Sequence, residues 1–356
     1  MAHTMAAFVL PREGGADLLE ERVVPRPSLR PRDILVRVQA FAMNPVDTQV
    51  RDARGKFKAK DEAAAEFPEG KILGYDGAGI IEQVGEQATM FQVGDRVYFA
   101  GDLHRNGSNA EFVAIDERIV AKMPASLSFA EAAAVPLTML TAWEGLFESM
   151  QVPLDTGADQ AHVPKRVLVL PGAGGVGTWV IQLAKKVGSL FVIATASRPE
   201  SADKSRELGA DLVINHREPL MPQLAEVGID GVDYVYDGYG LHAYATQYVE
   251  VLKPFGQILT IVPSFSEPMP SISVPMAFKR ASIHYELMFT RAAEGIEMER
   301  QHQILKRAAQ LIDEGAVKVS IQSILPWSMD SLREGHRLQE SGKAVGKIVI
   351  AREAGA

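Results

Sequence analysis

The sequence contains no cysteine. That absence removes disulfides, thiolate metal sites and a cysteine nucleophile together. Basic residues are outnumbered as well, 37 Lys and Arg against 45 Asp and Glu, for a net charge of −8. Nucleic acids and anionic membranes are held by a basic field, so neither is expected as a partner. No apolar run approaches the eighteen or so residues of a membrane span. The opening MAHTMAAFVLPREGG has only a short apolar patch before Arg12 and Glu13, a poor secretory signal. The closing AREAGA carries no recognisable address. A cytoplasmic protein with a small-molecule substrate is the expectation.

What is present is a chain of 356 residues, 47% hydrophobic and 23% charged, the balance of a soluble globular protein long enough for two domains. Residues 1–126 read as β-rich. Strand-like runs at Ile34–Phe41, Gly77–Val84, Arg96–Ala100 and Glu111–Ile115 are punctuated by turns such as Pro31-Arg32-Asp33 and Gly94-Asp95. Residues 51–70 are polar, a surface loop or loose helix. Ser128-Phe-Ala-Glu131 is a capping-box pattern, Pro136 interrupts the helix it opens, and a second helix is predicted over Thr138–Met150. A polar connection at 153–165 follows.

From Val167 strands and helices alternate. Strands are predicted at Val167–Leu170, Leu190–Thr195, Asp211–Ile214, Val232–Tyr236, Gln257–Val262 and Ala281–Leu287. The pattern implies an α/β fold with a parallel sheet covered on both faces. After Arg291 the chain reads as a helix (Glu297–Glu314), a strand (Val317–Ile324), a helix (Ser328–Ser341) and a last strand (Lys347–Ala351).

The clearest chemical signal is Gly172-Ala-Gly174-Gly175-Val176-Gly177, a G-x-G-x-x-G that follows an apolar strand and opens an apolar-faced helix. Gly172 permits the tight turn, Gly174 lets a pyrophosphate approach the backbone, and Gly177 lets the helix sit close to the sheet. The N–H groups and partial positive charge at the helix start would face the phosphates. An NAD-preferring site places Asp or Glu at the end of the second strand to hold the ribose 2′-hydroxyl. This sequence has Ser197 and Arg198 there. A guanidinium suits a 2′-phosphate, with Ser197 adding a hydroxyl, so NADPH is the expected cofactor.

These residues resemble the medium-chain dehydrogenase/reductase superfamily. Within it the resemblance is to the zinc-independent quinone oxidoreductase and enone reductase branch, nearest the subgroup called zinc-type alcohol dehydrogenase-like. It is carried by Asn44-Pro-Val-Asp47, Gly74-Tyr-Asp-Gly-Ala-Gly79, Val93-Gly-Asp-Arg-Val97, Ala134-Val-Pro-Leu-Thr138, Gly174-Gly-Val-Gly177, Leu208-Gly-Ala-Asp211 and Gly342-Lys-Ala-Val-Gly-Lys347. The resemblance implies a Rossmann doubly wound parallel sheet, residues 127–290, inserted into a GroES-like β-rich catalytic domain made of 1–126 and 291–356, with chemistry in the cleft between. It also implies that His216 joins Ser197 and Arg198 around the 2′-phosphate. Thr138 and Val262, within the 261–263 segment, would lie near the nicotinamide, and Lys347 near the cofactor. A homodimer through the strand 281–287 is a further implication.

Where the metal-dependent relatives place a zinc-binding cysteine and histidine, this chain has Asn44 and Tyr75, and its eight histidines are scattered. No catalytic metal is expected. Without a Lewis acid, hydride addition suits acceptors that spread the developing charge, an enone or a quinone, with hydrogen-bond donors polarising the oxygen. Asn44, Asp47 and Tyr75 are the candidate catalytic residues, with water or Tyr75 supplying the proton. Asn44 reads equally as a turn former before Pro45, Asp47 as a residue that orients a neighbour, and Tyr75 as a packed aromatic. Asp76 reads as a turn acid. Met288 and Phe289 are candidates for an apolar substrate pocket, core packing being the alternative. A ketone or aldehyde reductase, a specialised-metabolite reductase and a nucleotide-binding protein without turnover remain open alternatives.

Overall fold

A computed structural model describes residues 4–52, 70–155, 164–263 and 268–352. Most of the polar stretch at 51–70, and part of the one at 153–165, lie outside the described residues. The chain divides into two compact units, one made of Met1–Leu140 with Phe289–Ala356, the other of Thr141–Met288.

The first unit begins with β1 (Thr4–Leu10), β2 (Glu20–Pro25), β3 (Asp33–Ala42), helix α1 (Pro45–Arg51) and β4 (Lys71–Ile72). Then come β5 (Asp76–Val84), β6 (Arg96–Ala100), β7 (Phe112–Asp116) and β8 (Val120–Lys122). The capping box forms as predicted, Ser128 N–H donating to Glu131 Oε2 at 2.9 Å, and opens α2 (Phe129–Ala133). The sequence pattern missed β1 and β2. The β2 segment EERVVP is mostly exposed and carries no apolar period of its own. It is a strand because its backbone pairs with β1, from Thr4 opposite Pro25 to Val9 opposite Glu20.

Pro136 opens a helix, α3 (Pro136–Trp143), as proline at a first turn can. The predicted helix to Met150 is present in two forms, because α3 continues as a π-helical turn over Glu144–Ser149. There the Tyr236 hydroxyl donates to Thr141 O at 2.7 Å and takes a carbonyl that the α-helical ladder would use.

The second unit runs β9 (Arg166–Leu170), α4 (Gly175–Lys186), β10 (Phe191–Thr195), α5 (Pro199–Glu207), β11 (Leu212–Ile214), α6 (Leu220–Glu226), β12 (Val232–Asp237), α7 (Leu241–Val251), β13 (Leu252–Thr260), α8 (Ser273–Lys279) and β14 (Ser282–Tyr285). Its six strands pair in the order β11-β10-β9-β12-β13-β14, all parallel. The order reverses beside β9, and the crevice at the carboxyl ends of β9 and β12 is the topological switch point where such sheets bind ligands.

The chain then returns to the first unit through α9 (Thr290–Glu294), α10 (Glu299–Asp313), β15 (Ile321–Pro326), α11 (Met329–Glu340) and β16 (Lys347–Ala351). The large sheet has the order β15-β16-β3-β5-β6-β8, with β7 also paired to β3. Central placement buries nearly all of β3, and the apolar core gathers Phe8, Val36, Phe41, Phe99, Leu332 and Ile350 around it. Among the described residues no helix is long and apolar enough to cross a membrane.

His336 of α11 is fully buried, and among the described residues neither ring nitrogen has a hydrogen-bond partner. Burial, reinforced by the Arg51 guanidinium, lowers its pKa to about 3. The neutral ring is therefore kept in the fold while an unfolded chain would protonate near pH 6.5. This contribution is complete above that value and is lost as pH falls toward 3. Asp47 acts the other way, because its folded pKa is raised to about 7 and its contribution fades as pH rises through that value. The stability difference between wild type and His336→Leu isolates the first effect. Urea unfolding should show that difference moving by about 2 kcal/mol in favour of the variant between pH 7 and pH 5. A difference independent of pH would mean that His336 does not resist protonation.

Candidate active site

The end of β3, the start of α1, the turn before β5 and the first residue of β16 meet in the interior of the first unit. Lys347, 4% exposed, sends its ammonium to Met43 O at 2.8 Å, to Asp76 Oδ2 at 2.9 Å and to Asn44 Oδ1. Asn44 closes the triangle by donating Nδ2–H to Asp76 Oδ2 at 2.8 Å, with a longer contact to Ala42 O at 3.4 Å. The other oxygen of Asp76 accepts from the Leu137 N–H at 2.7 Å. Asp47 Oδ2 accepts from the Asn44 N–H at 2.9 Å, and Oδ1 from the Gly74 N–H at 3.1 Å. Gly74 has φ +110, and a Cβ there would lie 2.4 Å from Asn109 Oδ1, so this approach requires glycine.

Tyr75, completely buried, follows Gly74 and packs edge-to-face on Phe289 with ring centroids 5.4 Å apart. Among the described residues its hydroxyl has no hydrogen-bond partner. Burial, with Asp47 and Asp102 nearby, raises the phenol pKa well above its ordinary value, so it is a neutral O–H donor. Burial also raises the Asp76 carboxyl, while Lys347 and Asn44 pull it back.

In the second unit, β9 ends at Leu170 and the glycine loop leads into α4, twelve residues whose N-cap, Gly174, makes no side-chain cap. The first amides of the helix have no intrahelical acceptor. A Cβ on Gly177 would sit 2.1 Å from Pro171 O, so only glycine lets the helix start so close to the strand. At Gly174 an added Cβ would meet only Pro171 Cγ, at 3.5 Å, so this face of the loop is open. The arrangement fits a dinucleotide pyrophosphate. Gly172 is buried, while Gly175 and Val176 are half-buried in the first turn of α4.

Ser197 and Arg198 leave β10, both half-buried, with Arg198 as N-cap of α5. In the adjacent strand Ile214 pairs with Thr195, and His216 Nδ1 lies 3.2 Å from Thr195 Oγ1. The parallel register thus brings Ser197, Arg198 and His216 to neighbouring strand ends. Val262 follows β13, its N–H 3.3 Å from Thr260 Oγ1.

The fold gathers Asn44, Asp47, Tyr75, Phe289 and Lys347 with one another in the first unit. Thr138, also there, is buried near the start of α3, its hydroxyl donating to Val135 O at 3.3 Å. Met288 is 2% exposed. Sequence reasoning underrated Asp76, which is the acceptor that joins Lys347, Asn44 and α3. The available signal was its context: an acid opening a strand of small residues, Gly77-Ala78-Gly79, over which neighbouring strands can pack closely enough to bury it.

Two family models match the chain, the alcohol dehydrogenase GroES-like domain over residues 30–125 and zinc-binding dehydrogenase over 208–350. A zinc-type alcohol dehydrogenase-like protein of Staphylococcus epidermidis is 35% identical over 92% of both chains. The chloroplastic NADPH-dependent alkenal/one oxidoreductase of Arabidopsis thaliana is 30% identical over 97% of this chain and 79% of its own length. Among solved structures, a Rhizobium etli CFN 42 protein bearing the name zinc-dependent alcohol dehydrogenase superposes with TM-score 0.88 at 36% identity, covering 99% of this chain and 100% of that one.

The names raise the question of a catalytic zinc, and the donors here do not fit one. The Lys347 ammonium already fills the cation position between Asp76 and Asn44, and the Asn44 and Gly74 N–H groups engage the Asp47 carboxylate. The other donors at the site are an amide, a phenol and backbone groups. Among the described residues no group of three or more His, Asp or Glu could hold a metal ion. In family, the chain belongs to the medium-chain dehydrogenase/reductase superfamily of oxidoreductases, in its quinone and enone reductase branch.

Proposed function

We propose that this chain reduces a small α,β-unsaturated carbonyl compound or a quinone, with NADPH as hydride source and without zinc. The observation that carries the reading is the Tyr75 hydroxyl, buried, neutral and without a partner among the described residues, in a site whose fixed cation is an ammonium. A buried donor left unsatisfied costs about 1–3 kcal/mol, and a substrate oxygen is a suitable acceptor. NADPH, when bound, supplies the hydride.

Gly172, Gly174, Gly175, Val176 and Gly177 hold the pyrophosphate, and Ser197, Arg198 and His216 hold the 2′-phosphate. Thr138 and Val262 border the nicotinamide. Tyr75 hydrogen-bonds the substrate oxygen and gives up its proton. The engaged amide of Asn44 and the ammonium of Lys347 keep Asp76 and the Tyr75 segment in place, and Met288 and Phe289 contribute apolar wall. Delocalised acceptors suit this equipment, because an enolate or hydroquinone anion spreads its charge and needs less external stabilisation than a localised alkoxide, for which a Lewis acid is the stronger aid.

NADPH consumption over a panel of enones, quinones and aldehydes, with products identified and chelator present, tests the reading. The expected products are the saturated ketone and the hydroquinone, at rates the chelator leaves unchanged. An allylic alcohol as the main enone product, or stoichiometric zinc in the active protein, would replace it with an alcohol dehydrogenase-type reductase.

A further inference from the structure

Asp237, the last residue of β12, is 0% exposed, and among the described residues its side-chain hydrogen bonds all come from neutral donors. Oδ1 accepts from the Tyr239 N–H at 2.9 Å, the Gly240 N–H at 3.0 Å and the Tyr248 hydroxyl at 2.8 Å. Oδ2 accepts from the Thr260 hydroxyl at 2.8 Å and shares the Gly240 N–H at 3.1 Å. One carboxylate thus holds the turn after β12, the body of α7 and the end of β13. Burying such a group is costly unless its lone pairs are filled, and here donors from three elements fill them.

The direction of these bonds matters at β13. Thr260 Oγ1 has one hydrogen and lies 2.8 Å from Asp237 Oδ2 but 3.3 Å from Val262 O. A carboxylate oxygen only accepts, so it takes that hydrogen and leaves a lone pair of Oγ1 for the Val262 N–H, also at 3.3 Å. The preceding N–H, that of Ile261, goes to the backbone carbonyl of Asp237 at 3.0 Å. Two successive amides of the turn that leaves β13 are therefore referred to a single residue. Gly240 has φ +128, and a Cβ there would lie 3.6 Å from Val262 Cγ1, so the two turns held by Asp237 face each other. The Gly238 N–H donates to Leu170 O at 2.6 Å and ties the same corner to the end of β9, where the glycine loop begins.

We infer that Asp237 is the positioning residue for the nicotinamide half of the cofactor: it sets the turns at 238–240 and 261–262, while the glycine loop and Arg198 hold the adenosine half. The inference rests on the placement of Val262 beside the nicotinamide proposed above. Asp237 acts through Thr260 and Gly240 and takes no part in hydride transfer. Asparagine has the same shape but brings an NH2 group. With that group toward Thr260, it donates to Oγ1, the hydroxyl hydrogen swings to Val262 O, and the Val262 N–H loses its acceptor. Turned the other way, it meets the Tyr239 and Gly240 N–H groups, donor against donor.

Calorimetric titration of the whole protein with NADPH and with adenosine 2′,5′-bisphosphate, which carries only the adenosine half, separates the two ends of the cofactor. Asp237→Asn should weaken NADPH about tenfold, the effect of roughly one lost hydrogen bond, and leave the bisphosphate within about twofold of wild type. Thr260→Val should give the same NADPH loss, and Thr260→Ser, which keeps the hydroxyl, should bind as wild type does. An equal loss for NADPH and the bisphosphate would make Asp237 a residue that merely keeps the unit folded. Unchanged affinity for both would remove it from the crevice, and either result overturns the inference. Should Asp237→Asn fail to fold, the two Thr260 variants decide alone: equal NADPH affinity in both refutes it. No acceptor is present in these titrations. Wild type that does not bind NADPH defeats the proposed function, whereas wild type that binds it as Asp237→Asn does defeats only the positioning role.

Discussion

Lys347→Met is expected to lower the free energy of unfolding by about 3–5 kcal/mol, the range found when one partner of a buried ion pair is removed. The methionine stem fills the aliphatic volume of lysine, so the loss is electrostatic rather than steric. Removing the ammonium strips Asp76 Oδ2 of its charge partner and Asn44 Oδ1 of its donor in the same step. The remaining donors to Asp76 are the Asn44 amide and the Leu137 N–H, neither of which neutralises a buried charge. Urea denaturation at pH 8 measures the loss, which should shrink as pH is lowered and a proton relieves the carboxylate. Adding Asp76→Asn to the same protein should return much of it, because the double variant has no unpaired charge. Simple addition of the two single losses would show that Lys347 and Asp76 do not act as a pair.

Arg198→Ala should lower kcat/KM for NADPH by about 30- to 100-fold, the equivalent of about 2–3 kcal/mol for charge-assisted hydrogen bonds to a phosphate. The value for NADH should change little, since NADH has no 2′-phosphate to lose. Arg198 leaves the second strand of the parallel sheet at the point where an NAD-preferring site would put an acid. Glu200, the nearest carboxylate in sequence, is exposed in the first turn of α5, beyond Pro199. The same assay at rising salt should show the NADPH advantage shrinking in wild type and flat in the variant. Equal losses for both cofactors would remove Arg198 from the 2′-phosphate site and with it the preference for NADPH.

The two predictions differ in how much of each could be read before the fold was known. The glycine loop and Arg198 are local features: strand, turn, helix start and strand end lie within short stretches of chain, and their chemistry survives without long-range information. The alternating strands and helices of the second unit were legible for the same reason, since parallel sheets are built from repeated local units. Elements such as β2 were not, because an exposed strand owes its existence to the backbone of its partner and leaves little trace in side-chain pattern.

The sequence by itself determined the absence of thiol chemistry, the alternating α/β half, the phosphate loop and the basic residue beside it. Only the tertiary structure joined Lys347 to Asn44 and Asp76 across 303 and 271 positions of chain, and left Tyr75 buried without a hydrogen-bond partner among the described residues. The reason is physical. Local backbone geometry depends on residues a few positions apart, but the charge state of a buried group depends on every dipole and ion packed around it. Those neighbours come from whichever strands the fold has brought together.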